Sequence, residues 1–510
     1  MKRIFKLALC LTVAVGLHLP VAVQAKQGDS GYEGGISSGE APGKTVMQYQ
    51  EVSFVTGEPV VFDGTVVVKK STKQDLVTTT YTYSLKNMEK QATLTRILNY
   101  STKITKKPNG QTVEATTLTG KPSEIVRIGG KTYTLTNYDF SKSNLIDPRP
   151  AVNYFAGNTW GKKEYQTGTT EGTTITVEAT GNYYGYDQYW GTAEAQIINY
   201  IVQAKDVADG QTEAWGGTAS VTVSSTTSKR VKYVQNDPQV ISFEGGYVQS
   251  QFNSSIMEYT SRLPEFDSKG IATDVILESR KTLKLESFPQ QTRLPVPDIS
   301  HLRGHWAEED IKTMYSLEIF KEDSTSLNPD EYITKAEFIA AMVEAAKEVP
   351  KDTTATTGPT RPVTGTKPKK EEIVSPFTDV PVNSKYFAQI DSAYKRGMVA
   401  GKGDGTFGAE EHLTMADAIT VFIKAIGLES IAPGLHPVTT FKDNDQIPDY
   451  ARRAAYVAQK IGLIKGDTRG YLNPDQRLTK GQAAAMINRF ISYMREDIRK
   501  DYRERIVAYQ

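Results

Sequence analysis

The stretch HLRGHWAEED, His301 to Asp310, sets two histidines four residues apart and follows them with three carboxylates, Glu308, Glu309 and Asp310. Zinc hydrolases use that spacing to place two imidazoles on one helical face, with a glutamate directly after the first histidine as general base. Here Gly304 lies between the histidines, no glutamate follows His301, and helical apolar spacing starts only at Trp306. The stretch therefore reads as a helix entry. His305 extends the aromatic approach to Trp306, and the three acids complement the positive end of the first turn's dipole. No metal and no cofactor are expected.

The remaining inventory narrows the chemistry further. Of five histidines, His18 lies in an apolar leader, and His301, His305, His412 and His436 all fall beyond residue 293; the single cysteine is Cys10. Residues 45–292 thus contain neither type, which excludes histidine-dependent triads, Cys-His nucleophiles and His-rich metal centres from that region. A carboxylate pair for glycoside hydrolysis needs only Asp and Glu. No spacing singles one out, and a non-enzymatic protein is expected.

With 60 Lys+Arg against 59 Asp+Glu, the net charge of +1 offers no footprint for nucleic acid or an anionic membrane surface. Residues 1–25 read as a secretory signal peptide: Met1-Lys2-Arg3 and Lys6 precede the apolar run Leu7 to Val23, and Val23-Gln24-Ala25 provides the cleavage pattern. His18 and Pro20 break that run short of the ~20 apolar residues that span a bilayer. No later stretch is long enough either, so no transmembrane segment is expected. Without Cys10 the exported chain folds without disulfides.

Three further regions carry the positioning elements. Residues 26–44, rich in Gly and Ser, read as a flexible leader. Residues 45–292 are β-rich: TVVVKK, LVTTTYTYSL, TTITVEA, AQIINYIVQA and ASVTVSS join β-branched and aromatic residues, and Pro108-Asn109-Gly110, Gly129-Gly130 and Asp209-Gly210 supply turns. This predicts an antiparallel sandwich or a pair of them, with Asp147-Pro148-Arg149-Pro150 a candidate boundary near residue 148. Beyond Pro295 helical patterns take over in three repeats, residues 293–349, 375–430 and 437–492. A Thr/Pro/Lys-rich linker (350–374) separates the first two, and a charged helical tail (493–510) follows the third.

The repeats share an order of features. Asp298, Asp379 and Asp443 coincide, then Trp306, Tyr386/Phe387 and Tyr450, then Ile319-Phe320, Met398-Val399 and Leu463-Ile464. Thr334, Thr414 and Thr479 each open a final helix, with Glu337, Asp417 and Gln482 three residues on. Two of these are capping boxes by residue type. Each repeat reads as helix, loop, helix, with Trp306, Ile311, Met314 and Tyr315 on the first helix of repeat 1. A lone helical pair cannot bury its stripe, so the three must pack together.

These features resemble S-layer homology domains, the wall-anchoring modules of bacterial surface proteins. The resemblance covers the C-terminal two-fifths of the chain, and it implies an all-α pseudo-threefold bundle that binds a secondary cell-wall polysaccharide, often bearing a pyruvate ketal, in grooves between repeats. It also implies a protein secreted to the bacterial cell wall or S-layer. The family's Thr-Arg-Ala-Glu motif would aim an arginine at the ketal carboxylate. This chain has Thr334-Lys335-Ala336-Glu337, Thr414-Met415-Ala416-Asp417 and Thr479-Lys480-Gly481-Gln482 instead. Lysine keeps a point charge without the guanidinium fork, and methionine keeps neither. By this resemblance the polysaccharide-binding residues are Lys335 and Lys480 as charge partners at free helix N-termini, with Thr334, Glu337, Thr479, Asp298, Asp379, Asp443, Trp306 and Tyr450 shaping the grooves. Glu318 and Glu322 replace glycines found in the other repeats at 397, 462, 401 and 466.

Other constellations have plainer readings. GNYYGYDQYWG, with Tyr183, Tyr184, Tyr186, Tyr189 and Trp190, fits cross-strand packing, or a sugar platform or subunit contact. Gly401 to Gly408 and Asp443-Asn444-Asp445 lack the surrounding residues of phosphate or calcium loops and belong to the repeats. For the β region, self-association into a surface layer, binding of a glycan or protein, and wall-active catalysis are the open classes.

Overall fold

Alternation of inward and outward residues builds the N-terminal half. In the computed structural model, which describes residues 34–38, 46–167, 173–208, 211–234, 246–268, 271–347 and 374–502, Tyr81, Tyr83 and Leu85 point inward along one strand while Thr82, Ser84 and Lys86 point out. The expected signal peptide, most of the leader, the linker up to 373 and the tail beyond 502 lie outside the described residues. Among the described residues no helix is long and apolar enough to cross a membrane.

The strands are β1 (Ile36–Ser37), β2 (Val46–Ser53), β3 (Val60–Lys73), β4 (Leu76–Asn87), β5 (Ala92–Lys106), β6 (Thr112–Leu118), β7 (Ser123–Ile128), β8 (Lys131–Pro148), β9 (Asn153–Thr167), β10 (Thr174–Gln188), β11 (Gly191–Ala208), β12 (Gln211–Val234), β13 (Gly246–Phe266), β14 (Ala272–Glu286) and β15 (Gln290–Arg293). They form one continuous antiparallel sheet in nearly sequential order, with the short β6 and β7 end to end between β5 and β8. Two facing sheets were expected; the hairpin pattern instead continues unbroken. Pro148 pairs with Asn153 across the β8–β9 turn, so the candidate boundary at 148 is a hairpin inside the sheet. The sheet curls around its own core: Phe54, just after β2, packs on Tyr200 of β11 and Tyr259 of β13. Asn253 of β13 donates to the Ser38 carbonyl beside β1. β1 also corrects the leader, because Ile36 is 1% exposed; two residues are too few to show a period.

The C-terminal half holds α1 (Glu308–Ser316), α2 (Lys335–Ala346), α3 (Phe387–Lys395), α4 (Met415–Ile426), α5 (Asp449–Lys460), α6 (Lys480–Ser492) and α7 (Ile498–Asp501). Two helices fall in each repeat as expected, but Trp306 lies outside α1, which starts at Glu308. α2, α4 and α6 each begin in a complete capping box, Thr414–Asp417 included. The first helix of each repeat packs on the last helix of the preceding one, giving α1 on α6, α3 on α2 and α5 on α4. Phe338, Phe422 and Phe490 meet at the centre, with centroids 5.7 and 5.2 Å apart.

One end of the sheet docks on this helical body. A helix leaves its last carbonyls without intrahelical donors, and here the sheet supplies them. Trp190 Nε1 donates to the Ala345 carbonyl (2.8 Å), the Ala151 amide to Ala425 (2.8 Å), Tyr154 OH to Ile426 (3.1 Å) and Gln188 Nε2 to Met494 (2.6 Å). Cross-strand packing holds for Tyr183, which lies with Phe155 and Ile146 and donates to the Ser143 carbonyl, but Trp190 is 0% exposed in the helical core, where the cluster joins the two halves. The tail is not a solvated continuation either. A π-helical turn, Tyr493–Asp497, leads into α7, and Tyr502 stacks on Tyr154 at 5.7 Å.

Candidate functional site

The helix-opening threonines meet around a ring of backbone hydrogen bonds. Ile333 donates to Leu478, Leu478 to Leu413 and Leu413 back to Ile333, each at 3.0 Å. The residues that follow interlock the same way. Lys335 and Ala336 amides donate to the Glu411 and Ala409 carbonyls of repeat 2, Met415 and Ala416 to Gln476 and Pro474 of repeat 3, and Lys480 and Gly481 to Glu331 and Pro329 of repeat 1, at 2.8–3.0 Å. The third amide of each helix bonds its threonine cap at 3.2 Å. The first-turn amides expected to be free for an anion are thus satisfied by the protein itself.

Each junction draws on all three repeats. At one, Lys335 Nζ lies 3.1 Å from Glu411 and 3.7 Å from Asp417, and Tyr450 OH donates to Asp417 (2.9 Å). At the second, Lys480 Nζ lies 2.8 Å from Glu331, 3.4 Å from Glu337 and 3.8 Å from Glu322. Tyr386 OH and Lys385 also bond Glu322, at 3.0 and 3.3 Å. The third has Met415, Gln476 and Gln482 at the equivalent positions, and Trp306 stands beside Gly481, where an added Cβ would meet the indole at 3.4 Å. Trp306 and Tyr450 are 61% and 56% exposed. Burial would lower the Lys480 pKa, but Glu331, Glu337 and Glu322 outweigh it and raise it. Hydrogen bonds from Lys402 and then Lys335 hold Glu411 below the usual carboxylate range.

The predicted lysines are therefore brought to the junctions, but each is already bound to carboxylates of the next repeat. Glu322, Glu331 and Glu411 were not anticipated. A signal existed: three residues before each threonine the chain has Glu331, Glu411 and Gln476, and each meets the helix start of the preceding repeat in the ring, the two acids facing Lys480 and Lys335 and the glutamine facing Met415. Charge and counter-charge are exchanged as a set.

The aspartates do something else. Asp379 accepts the amides of Phe407 (2.7 Å), Gly408 (2.7 Å) and Ala409 (3.0 Å), and Asp443 those of Leu472 (2.8 Å) and Asn473 (2.7 Å). They staple the loops that carry the next helix start. Asp298 is exposed and bonds only Ser300, through its amide (3.2 Å) and hydroxyl (3.0 Å). Burial works against ionised Asp379, but the three amides prevail and its pKa is lowered. That contribution is present above the unfolded carboxyl's pKa and is lost as pH falls through the lower folded value. Asp379→Ala should cost about 1–3 kcal/mol by orphaning these amides, read as a shifted denaturation midpoint at pH 7; an unchanged midpoint would remove the staple role.

His301 and His305 do not converge. His301 Nε2 faces the Leu327 carbonyl at 2.9 Å, while His305 Nδ1 accepts the Ala307 amide at 3.1 Å and its ring lies against Trp306. Glu318 takes φ 57°, the left-handed conformation that Gly397 and Gly462 take in the other repeats, at a cost that a Cβ imposes and glycine avoids.

Comparison with known proteins agrees with this geometry. The S-layer homology domain model matches residues 298–339, 376–419 and 440–484. The chain is 30% identical over 120 residues to a cell surface protein of Thermoanaerobacter kivui, covering 23% of this chain and 16% of that protein. It is 29% identical over 111 residues to an S-layer protein of Bacillus anthracis (22% and 12%) and 24% identical over 193 residues to an amylopullulanase of Thermoanaerobacterium thermosulfurigenes (36% and 9%). The chain spans less than a fifth of the length of each. It is a cell-surface protein carrying three S-layer homology domains, and its place is the cell wall.

Proposed function

We propose that the three repeats form a pseudo-threefold bundle that anchors the chain noncovalently to an acidic secondary cell-wall polysaccharide, a pyruvylated one being the best chemical fit, and that the β region is a non-enzymatic surface module. The observation that carries this reading is the construction of each junction from all three repeats, with an exposed aromatic such as Trp306 or Tyr450 beside a helix start. S-layer homology domains as a class bind wall polysaccharide. Because the amides are used, the anionic group is met by Lys335 and Lys480, which exchange an internal carboxylate for the ligand's. The methionine junction holds sugar by stacking on Trp306 alone.

Purified chain should sediment with native walls and fail to do so with walls stripped of the secondary polysaccharide. Lys335→Ala/Lys480→Ala should weaken that binding by about tenfold or more, the worth of one charge-assisted contact or two. Equal sedimentation of variant and parent would remove the lysines from the site; equal sedimentation with stripped walls would remove the function.

A second reading, a wall-anchored glycan-binding protein or carbohydrate-active enzyme, draws on the relatives named as an amylopullulanase and an endoglucanase. Release of reducing ends from wall polysaccharide by the purified chain would favour the enzyme.

A further inference from the structure

β14 ends the sheet. It is hydrogen-bonded to β13 on one side, and among the described residues no ladder joins its other side, although β1 comes near it. None of its residues is buried. Val275, Ile276 and Leu277 are 52%, 47% and 50% exposed in succession, so neither face of that half is covered. A 15-residue edge with apolar side chains on both faces is a template for pairing.

The charges on β14 say what pairs with it. From Ile276 to Glu286, where the pairing with β13 is regular, Glu278, Arg280, Lys284 and Glu286 lie on the outer face, since side chains alternate and the odd-numbered Leu283 and Leu285 pack on the core; between Ala272 and Ile276 the register shifts. Edge residues whose backbone groups point outward share one parity, so two copies pairing antiparallel about a two-fold axis must centre on a residue. Centred on Ser279, Glu278 opposes Arg280 twice on the outer face, next to the twofold axis, within the regular part of the strand. Centring on Glu278 sets that residue against its own copy. Centring on Arg280 does the same for the arginine, and centring on Lys281 does so for that lysine. In parallel, in-register pairing every charge faces itself. Opposed unlike charges stabilise a ladder and like charges destabilise it.

We propose that β14 pairs antiparallel with β14 of a second copy, centred on Ser279, and that this contact joins neighbouring molecules at the surface. The inference deepens the reading of the β region as a surface module, yet it concerns association in solution and does not depend on wall binding. The β14 ion pairs within one copy, Arg262–Glu278 at 3.0 Å, Lys284–Glu286 at 2.8 Å and Arg280–Glu258, are all exposed, so a second copy can share them.

Sedimentation of the full chain over a concentration series, without wall polymer, tests it. The parent should self-associate. Glu278→Lys, which sets lysine against Arg280, should raise the dissociation constant about tenfold or more, and Glu278→Lys/Arg280→Glu should restore it. On a Cys10→Ser background, Ser279→Cys should form a disulfide-linked dimer, because facing Cα atoms in such a ladder lie about 4.5–5.5 Å apart; Lys281→Cys, opposite Leu277, should not. A parent that stays monomeric up to its solubility limit, a neutral Glu278→Lys, or equal cross-linking of the two cysteine variants would overturn the proposal. If sedimentation with walls persists in such a case, the anchor reading stands untouched.

Discussion

Replacing Arg96 by methionine should destabilise the sheet by about 3–5 kcal/mol, the usual cost of stripping one partner from a buried ion pair. The ATLTRILNY run of β5 places Ala92, Leu94, Arg96, Leu98 and Tyr100 inward, so the arginine enters the core by the same alternation as its apolar neighbours. There Nη1 and Nη2 grip Glu51 of β2 at 2.7 Å, Nε and Nη2 grip Glu124 of β7 at 2.8 and 2.9 Å, and Lys163 of β9 completes the set at 2.8 Å from Glu124. None of the four side chains is more than 8% exposed. Four strands from different parts of the curl are tied at one point, two cations against two anions. Methionine fills similar space but leaves two buried carboxylates facing one lysine.

The set as a whole has a different value from any member. Changing Glu51, Arg96, Glu124 and Lys163 together to apolar residues of matched size should cost little, since the desolvation of four charges disappears with their attraction. Urea denaturation of the two variants separates the cases, and a loss below about 1 kcal/mol for Arg96→Met would show that water reaches the cluster. Burial alone would raise the Glu124 pKa, but Arg96 and Lys163 pull it far below the ordinary carboxylate range. The stabilisation it brings is therefore present above the unfolded carboxyl's pKa and persists deep into acid, failing only as pH falls through the depressed folded value.

Trp190→Ala should cost about 3–5 kcal/mol, the range for deleting a large buried aromatic, and its effect should cross from one half of the molecule to the other. The indole is 0% exposed, packs edge-on to Tyr189 at 5.0 Å and donates to a carbonyl at the end of α2. Hydrogen exchange should report it: amides in the last turns of α2 and at the β10–β11 turn should both lose protection, while those around Arg96 keep theirs. Trp190→Phe retains most of the apolar area and loses only the N–H, so it should cost about 1–3 kcal/mol, chiefly for the carbonyl left without its donor. A Trp190→Ala variant with protection lost only within the β10–β11 turn would mean that the two halves are not coupled there.

The helical repeats were legible because their signals are local. Thr334, Thr414 and Thr479 with a polar partner three residues on mark helix starts by chemistry that does not depend on the rest of the fold, and all three boxes close. The β class was legible for the same reason, since alternation in LVTTTYTYSL concerns neighbours. Which strands face which was not: a hairpin in a sandwich and a hairpin in one curled sheet have the same local pattern, and the closure contacts of Phe54 join residues far apart in sequence. Arg96, Glu51, Glu124 and Lys163 each sit at an inward position of an alternating strand, so their burial was written in the pattern, though not their mutual contact. The tail misled because Tyr493, Met494, Ile498 and Tyr502 are scattered among charges, and a docking stripe on an irregular helix does not follow a 3.6-residue period. The lysines were found through resemblance, but their partners required comparison of the repeats with one another.

The sheet grips the helical body at the C-terminal ends of α2 and α4 and just past α6, while the three junctions lie at the opposite ends of these helices, about 18 Å away at 1.5 Å per residue. Three separated attachment points leave no axis about which one half can swivel. With the wall bound at the junctions, as proposed, drag on the sheet is carried along three helices side by side, each loaded along its own length. Every molecule held at its junctions must also present the sheet at the same tilt and azimuth, so that neighbours on a wall share a common heading before they touch.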